Sequence, residues 1–153
     1  MKILVTGGAG YIGSHTAWLL YKKGYQVVVL DAFFHNQTFN PSWAIVIKGN
    51  VGDQQLLEQI FSTYTIIGVM HFAASIEVSE SCKNPSLYYY NNVVITQILL
   101  DVCRMYGVNT VIFSSSCAVY GNPQTDLLKE DHPKHPDFAS FSSPVCWVMR
   151  CSL

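Results

Sequence analysis

The amino-acid sequence predicts an α/β fold in which a doubly wound parallel sheet carries helices on both faces. Two observations support this fold class. Short apolar runs alternate with segments of helical periodicity along most of the chain, and a glycine-rich turn separates the first apolar run from the first helical segment. The chain has 153 residues, half of them hydrophobic, which is about the length of one domain with its own core.

The first strand and the first helix flank the glycine-rich turn. Residues 3–5 form a short apolar run, typical of a strand that is covered on both faces. The turn, residues 6–13 with the sequence TGGAGYIG, follows directly. Side chains then recur at helical spacing up to Gly24, a residue suited to a helix C-cap: Ile12, Thr16, Leu19 and Leu20.

The remaining elements continue the alternation of strands and helices. A helix is predicted over residues 54–61 with Asp53 as its N-cap, and a longer helix uses Ile95, Leu99, Val102 and Tyr106 before Gly107. Further strands are predicted over residues 27–30, 44–47, 66–72 and 110–113, which makes about five strands in all. This alternation indicates a Rossmann-type parallel sheet that is incomplete.

The glycine-rich turn has the chemistry of a dinucleotide-binding loop. Gly8, Gly10 and Gly13 form a Gly-x-Gly-x-x-Gly motif between a strand and a helix. Such glycines allow backbone to approach a pyrophosphate, and the helix N-terminus offers N–H groups and a positive dipole end. The alternative is a turn that serves packing only, which the matching strand, helix and acidic residue disfavour.

Asp31 is that acidic residue and directs the choice of cofactor. It follows the second strand, about 20 residues after the glycines, where a carboxylate accepts hydrogen bonds from adenosine ribose hydroxyls. A carboxylate repels a 2′-phosphate, and no arginine precedes Arg104. The sequence therefore favours NAD over NADP. The alternative is that Asp31 serves only a turn or a helix cap, which we take as its lesser role.

Other polar residues follow the fourth and fifth strands. We interpret His71 as a strand histidine hydrogen-bonded within the fold rather than as a general base. Ser114, Ser115 and Ser116 end the fifth strand at the same edge, where a hydroxyl could bind a substrate oxygen. The absence of a Gly-x-Ser-x-Gly segment disfavours acyl transfer. His132 and His135 have no evident carboxylate or cysteine partner, and no metal site is assigned.

Composition excludes several other classes of protein. A net charge of −1 without a charge run gives no reason to expect nucleic acid or an anionic membrane as a partner. The five cysteines show no Cys-x-x-Cys spacing, so reduced thiols are predicted rather than disulfides or zinc. The N-terminus lacks the pattern of a signal peptide, and no apolar stretch reaches about 18 residues. We expect a cytoplasmic protein.

Several segments in order carry a resemblance to a known family: residues 6–15, Leu30-Asp31, residues 71–74 (HFAA), residues 89–93 (YYNNV) and residues 113–121 (FSSSCAVYG). Because of these segments, the chain resembles the UDP-glucose 4-epimerases of the extended short-chain dehydrogenase/reductase superfamily. The resemblance extends from residue 1 to about residue 136. The resemblance implies an NAD-dependent isomerase of galactose metabolism that interconverts UDP-glucose and UDP-galactose. Hydride leaves C4 of the sugar, a 4-keto intermediate rotates, and hydride returns to the opposite face.

The resemblance also implies roles for individual residues. Ser116 would hydrogen-bond the C4 oxygen of a UDP-hexose. Residues implied to bind or border the cofactor are Gly7, Gly10, Tyr11, Ile12, Gly13, Asp31, Asn50, Val51, Phe72, Ala73, Ala74, Asn91 and Ser114. Tyr11 and Ile12 would bind the pyrophosphate through their backbone N–H groups, while Asn50 and Val51 would border the adenine. A homodimer is compatible with the family.

The chain departs from the family pattern after Pro136. The family's general base is the tyrosine of a Tyr-x-x-x-Lys motif, but no tyrosine follows Tyr120 and no lysine follows Lys134. We therefore interpret residues 1–136 as an NAD-binding domain and residues 137–153 as an irregular tail, with the substrate domain missing through truncation. Activity would then be crippled. A non-catalytic NAD-binding module or remnant is the alternative, and a protein that has kept only the fold is another. A sugar-nucleotide 4,6-dehydratase is less favoured, because Cys117 and Ala118 stand where its acids are needed.

Overall fold

The computed structural model describes residues 1–34, 38–121 and 127–133. The predicted domain boundary at Pro136, the tail and His135 lie outside these residues. The chain divides into two compact units. The first comprises Met1–Ala74 and Ile95–Ser114, and the second comprises Ser75–Val94 and the chain after Ser114. No helix within the described ranges is both long and apolar enough to cross a membrane.

The first unit is built on a parallel sheet, which confirms the predicted fold class. Within the described residues the sheet has five strands in the order β3-β2-β1-β4-β5, all parallel. The strands are β1 (Lys2–Thr6), β2 (Gln26–Asp31), β3 (Ala44–Lys48), β4 (Ile66–His71) and β5 (Val111–Phe113). The order reverses direction at β1, so the crevice beside this strand is the topological switch point at which such sheets bind ligands.

The first unit also contains three of the helices, and the sequence predicted all three. They are α1 (Tyr11–Lys22), α2 (Gln54–Thr63) and α5 (Ile95–Met105). Asp53 is the N-cap of α2, as predicted, and its carboxylate accepts a hydrogen bond from Leu56 N at 3.1 Å. Gly24 lies just beyond α1 with a φ of +89°, and Gly107 lies beyond α5 with a φ of +70°. Both glycines end helices in the left-handed region.

The two faces of the sheet have separate cores. One face packs Leu4, Val28 and Leu30 against apolar residues of α2 and α5. The other packs Val5, Val27 and Val29 against Ala17 of α1. Alternation along a strand places successive side chains on opposite faces, so these strands are buried on both sides.

Helix α1 was predicted from the spacing of large apolar residues, but the residues that it buries are small. Gly13 and Ala17 are its buried residues, whereas Ile12 and Leu19 are more than half exposed. The spacing of the large residues therefore predicted the helix correctly but did not identify the face that packs on the sheet. That face needs small residues because the helix begins directly at the glycine turn.

The second unit contains short elements that periodicity did not reveal. Helix α3 (Val78–Lys83) and helix α4 (Pro85–Tyr89) are followed by a π-helical turn (Tyr90–Val94), and a 3₁₀ turn covers Cys117–Tyr120. Helices of five or six residues are too short for an apolar stripe to recur. Tyr88 is buried in this unit and donates a hydrogen bond to Glu80 Oε2 at 2.7 Å.

Candidate nucleotide-binding site

Four neighbouring strands bring their carboxyl ends to one edge of the sheet in the first unit. Thr6 of β1 pairs with Leu30 of β2 on one side and with His71 of β4 on the other. His71 in turn pairs with Phe113 of β5. The glycine turn, Asp31, residues 72–74 and Ser114 follow these ends, so the register places most of the predicted cofactor residues along one edge.

The glycine turn is held tightly to the sheet. Gly7 N donates to Leu30 O at 2.9 Å, and Gly7 has a φ of +68°. A Cβ atom on Gly7 would lie 2.6 Å from Ala73 N, and one on Gly13 would lie 2.2 Å from Gly7 O. Gly7 and Gly13 are therefore required by the fold itself, one where two backbone segments meet and one where α1 begins.

Gly10 differs from these two glycines because a Cβ atom there would be far less crowded. Its backbone is extended, with φ −71° and ψ 172°, which other residues adopt freely. Among the described residues, the only atom within 4 Å of a Cβ built on Gly10 is Gly7 O, at 3.3 Å. Packing alone therefore does not account for glycine at this position as it does at Gly7 and Gly13.

The N-terminus of α1 is open next to Gly10. Within the described part of the chain, no side chain makes a capping hydrogen bond to this helix end, and its first turn carries no acidic residue. Tyr11 and Ile12 are well exposed there. The first N–H groups of a helix lack intrahelical acceptors and carry partial positive charge. This end therefore has the geometry and the electrostatics of an anion site.

Asp31 has hydrogen-bond partners that the sequence did not reveal. Its Oδ2 accepts from Ala9 N at 2.9 Å, which ties the glycine turn to the end of β2. Its Oδ1 accepts from Phe33 N at 2.8 Å and holds Phe33 at a φ of +55°. The turn role that the sequence analysis ranked lower is thus present. A carboxylate has about four lone-pair positions, so two bonds leave acceptor capacity for a ribose.

The two residues expected beside the adenine differ in what they offer. Asn50 accepts from Gly52 N through Oδ1 at 2.7 Å, so its side chain is folded back on its own turn. Val51 is 5% exposed and belongs to the core between the sheet and α2 and α5. Only the backbone of Val51 is therefore available to a ligand, because its side chain packs inward.

The chain leaves β4 close to the glycine turn. Phe72 N donates to Thr6 O at 2.9 Å, and Phe72 packs on the core face that contains α1. Ala73 packs on the opposite face, against the core of α2 and α5, while Ala74 is exposed. Ser114 N donates to His71 O at 3.0 Å and so follows β5 in register.

His71 is a structural histidine, as the sequence analysis interpreted it. It is 2% exposed, and its ring nitrogens are 2.6 Å from Thr6 Oγ1 and 3.1 Å from Thr96 Oγ1. Burial lowers the pKa of His71 to about 4 from an ordinary 6.5. The neutral ring therefore joins β1, β4 and α5 at neutral pH. Sequence offered no sign of these partners, which lie 65 and 25 residues away.

Asn91 and Ser116 belong to the second unit and are described within it. Asn91 is half-buried in the π-helical turn, and its Nδ2 donates to Asn92 Oδ1 at 3.0 Å. Ser116 is exposed, and its carbonyl oxygen accepts from Val119 N at 3.2 Å in the 3₁₀ turn. Their predicted roles toward cofactor and sugar stay predictions.

The family of the chain follows from comparison with known proteins. Residues 3–142 match the model of the NAD dependent epimerase/dehydratase family. The chain belongs to this family. The open helix end, Gly10 and Asp31 are thus found in a member of an NAD-dependent family, and the resemblance predicted from the motifs is confirmed.

Individual members of the family show how much of a relative the chain spans. The UDP-glucose 4-epimerase of Rhizobium meliloti (strain 1021) is 42% identical over 135 residues, covering 88% of this chain and 41% of that protein. The human UDP-glucose 4-epimerase is 40% identical over 147 residues, covering 86% of this chain and 42% of that protein. The chain therefore spans about two fifths of the length of these relatives.

Solved structures of family members agree with the fold. The UDP-glucose 4-epimerase from Brucella ovis in complex with NAD superposes with a TM-score of 0.81 at 41% identity, covering 97% of this chain and 46% of that one. The UDP-glucose 4-epimerase from Thermus thermophilus in complex with NAD gives 0.84 at 31% identity, covering 98% and 49%. Both comparisons confirm the Rossmann-type architecture of this chain.

Proposed function

We propose that this chain is the NAD-binding part of a UDP-hexose 4-epimerase that interconverts UDP-glucose and UDP-galactose. The observation that carries the proposal is the pairing of an uncapped helix N-terminus with Gly10, a glycine that packing explains less well than Gly7 or Gly13. A pyrophosphate uses both features, because it accepts from free helix N–H groups and needs close approach of the backbone. The choice of UDP-glucose and UDP-galactose as substrates rests on the relatives, which are named UDP-glucose 4-epimerase.

The residues present fit NAD at each end of the glycine turn. The backbone N–H groups of Tyr11 and Ile12 would face the pyrophosphate, because Gly10 leaves the approach open. Asp31 would accept from the adenosine ribose with the lone pairs that Ala9 and Phe33 leave unused. Its negative charge would oppose the 2′-phosphate of NADP.

The chemistry of the proposed reaction is divided between cofactor and protein. Bound NAD supplies a hydride acceptor that also returns the hydride. In the chain, Ser116 would hydrogen-bond the C4 oxygen of the sugar, while Ser114, Ala73 and Ala74 would line the cofactor. His71 is disfavoured as the base, because its ring is 2% exposed and both ring nitrogens face threonine hydroxyls.

A specific observation favours a second candidate, a non-catalytic NAD-binding module. No tyrosine follows Tyr120 in the sequence, so the Tyr-x-x-x-Lys motif that supplies the general base in this reaction is absent. We propose accordingly that this chain binds NAD but does not turn over UDP-hexose by itself. A homodimer and a cytoplasmic location stay predictions.

Calorimetric titration of the purified chain with NAD and with NADP tests the cofactor proposal. We expect saturable binding of NAD and at least about tenfold weaker binding of NADP, a difference of about 1.4 kcal/mol. The variant Asp31→Asn should lower the ratio of NAD affinity to NADP affinity, because it removes the negative charge that opposes the 2′-phosphate. Asp53→Asn is the matched control, because Asp53 also accepts a backbone N–H but caps α2. Absence of saturable NAD binding by the wild-type chain would refute the proposal.

Incubation of the chain with NAD and UDP-galactose separates the two candidates. Formation of UDP-glucose, followed by chromatography, would show that the chain is catalytic alone and would refute the module. NAD binding without turnover is the expected result. Addition of a separately expressed C-terminal part of a relative would then test whether this NAD site supports the reaction.

A further inference from the structure

Lys48 ends β3 directly beside Asp31 at the end of β2. The parallel register pairs Asp31 with Lys48, and Gly49 N donates to Asp31 O at 2.9 Å just beyond this pair. Neighbouring strands lie about 4.8 Å apart, so the two residues occupy adjacent points on the same edge of the sheet. The sequence does not show this pairing, because the two residues belong to different strands.

The side chains of Asp31 and Lys48 lie on the face of the sheet that carries α1 and the glycine turn. The preceding pair, Leu30 and Ile47, packs on the opposite face, in the core with α2 and α5. Successive residues of a strand alternate between the two faces, so Asp31 and Lys48 share the face of α1. The hydrogen bond from Ala9 N to Asp31 Oδ2 agrees with this placement of the carboxylate.

The ammonium group of Lys48 is available to an anion. Lys48 is exposed, and within the described ranges its side chain has no hydrogen-bond or ion-pair partner. The Asp31 carboxylate does not pair with it, since its two oxygens accept from Ala9 N and Phe33 N. The methylene stem of a lysine is longer than the gap of about 4.8 Å between strands, so the ammonium group can reach a ligand bound at the end of β2.

We propose that Lys48 is a specificity-determining residue that attracts the 2′-phosphate of NADP and so reduces the preference of the site for NAD. This inference rests on the proposed function, since it presumes that the adenosine ribose binds at Asp31. A dinucleotide with its pyrophosphate at the glycine turn after β1 and its ribose at the end of β2 extends toward β3, the next strand in the sheet. A carboxylate repels a 2′-phosphate, whereas a cation within reach binds it. Asp31 and Lys48 therefore act in opposite directions on the same group.

Two variants of Lys48 and one control test the proposal. Lys48→Gln removes the charge and keeps most of the stem, while Lys48→Arg keeps the charge and adds a planar fork that binds phosphate through two bonds. Lys23→Gln is the matched control, because Lys23 is also exposed and its loss changes the net charge equally. Lys23 lies at the end of α1 that is remote from the glycine turn. Circular dichroism first establishes that each variant is folded.

The decisive measurement is calorimetric titration of each variant with NAD and with NADP, which differ only in the 2′-phosphate. The variants are compared in the Asp31→Asn background, where NADP is not repelled, and in the wild-type background if Asp31→Asn binds neither dinucleotide. We expect Lys48→Gln to weaken NADP binding about fivefold, while NAD affinity changes by less than about twofold. Lys48→Arg should bind NADP at least as tightly as Lys48 does. In about 1 M salt, which screens exposed charges, the effect of Lys48→Gln on NADP should fall below about twofold.

Each other outcome has a defined meaning. Equal losses of NAD and NADP affinity in Lys48→Gln would show that the lysine does not act on the 2′-phosphate and would overturn the inference. Unchanged NADP affinity in Lys48→Gln would overturn it as well, while leaving the proposed function intact. The same loss of NADP affinity in Lys23→Gln would assign the effect to net charge and not to the place of Lys48 beside Asp31. If the wild-type chain binds neither dinucleotide, the proposed function and the inference both fail.

Discussion

Gly10 and Gly13, the two glycines at the start of α1, should respond differently to substitution by alanine. A Cβ on Gly13 would lie 2.2 Å from Gly7 O and 2.9 Å from Gly8 Cα, and both neighbours are backbone. Relief requires the helix to move by about 0.8 Å from the turn, because Cβ atoms do not approach other atoms within 3.0 Å. Helix α1 also buries Ala17 on the sheet, so such a movement disturbs packing along the helix.

The expected magnitudes follow from these contacts. Gly13→Ala should lower the free energy of unfolding by about 3 kcal/mol, at the upper end for an overpacked site. Gly10→Ala should lower it by less than about 1 kcal/mol, since its Cβ meets only Gly7 O at 3.3 Å and alanine is a moderately poor N-cap. Gly10→Ala should nevertheless weaken NAD binding at least about tenfold, because the methyl group occupies the approach to the pyrophosphate.

Urea denaturation without ligand measures the first effect, and calorimetric titration with NAD measures the second. Gly24→Ala shows the cost of backbone strain without crowding, since nothing lies within 4 Å of its Cβ but its φ is +89°. Equal destabilisation by Gly10→Ala and Gly13→Ala would refute the distinction between the two glycines. Unaltered NAD affinity in Gly10→Ala would refute the assignment of Gly10 to ligand approach.

Three further predictions concern residues outside the glycine turn. Burial lowers the pKa of His71 to about 4 from 6.5, so the unfolded chain binds a proton at this imidazole more readily than the folded chain. The free energy of unfolding should therefore be highest above pH 6.5 and fall by about 3 kcal/mol as the pH drops to 4. Urea midpoints across this range should show a smaller slope in His71→Asn, and an unchanged slope would contradict the assignment. Asp53→Ala removes the bond to Leu56 N and should cost about 1 kcal/mol in urea unfolding, whereas no change would mean that the cap contributes nothing. Iodoacetamide should label the exposed Cys82 in the native protein but Cys103 only after unfolding, as read by peptide mapping. The reason is that burial raises the pKa of the Cys103 thiol to about 11, and the thiolate is the form that reacts. Rapid labelling of Cys103 in the native protein would contradict this prediction.

Local signals accounted for the sheet and for the main helices. Buried strands such as β2 are continuous apolar runs, and α2 begins at an aspartate that caps it. Short elements were missed because α3 and α4 have too few residues to repeat a pattern. Boundaries shifted by a residue or two, as at β4, which ends at His71 rather than at Phe72.

For the candidate site, the sequence predicted which residues take part but not the contacts that they make. Its composition could be read from the chain, because Gly10, Gly13 and Asp31 have the order and spacing of a dinucleotide site. The bond from Ala9 N to Asp31 could not be read, since a backbone donor leaves no mark in a sequence. The inward packing of Val51 was also hidden, because an apolar residue after a strand suits a ligand or a core equally.

The sequence by itself determined the alternation of strands and helices, the place of the glycine turn and the acidic residue that favours NAD. These depend on backbone preference and periodicity, which act over a few residues. Only the tertiary structure decided which glycine packs and which stays open, and that His71 is a neutral link between threonines. Those properties depend on contacts between residues distant in the chain, and burial gives them their energy by removing water as a competing partner.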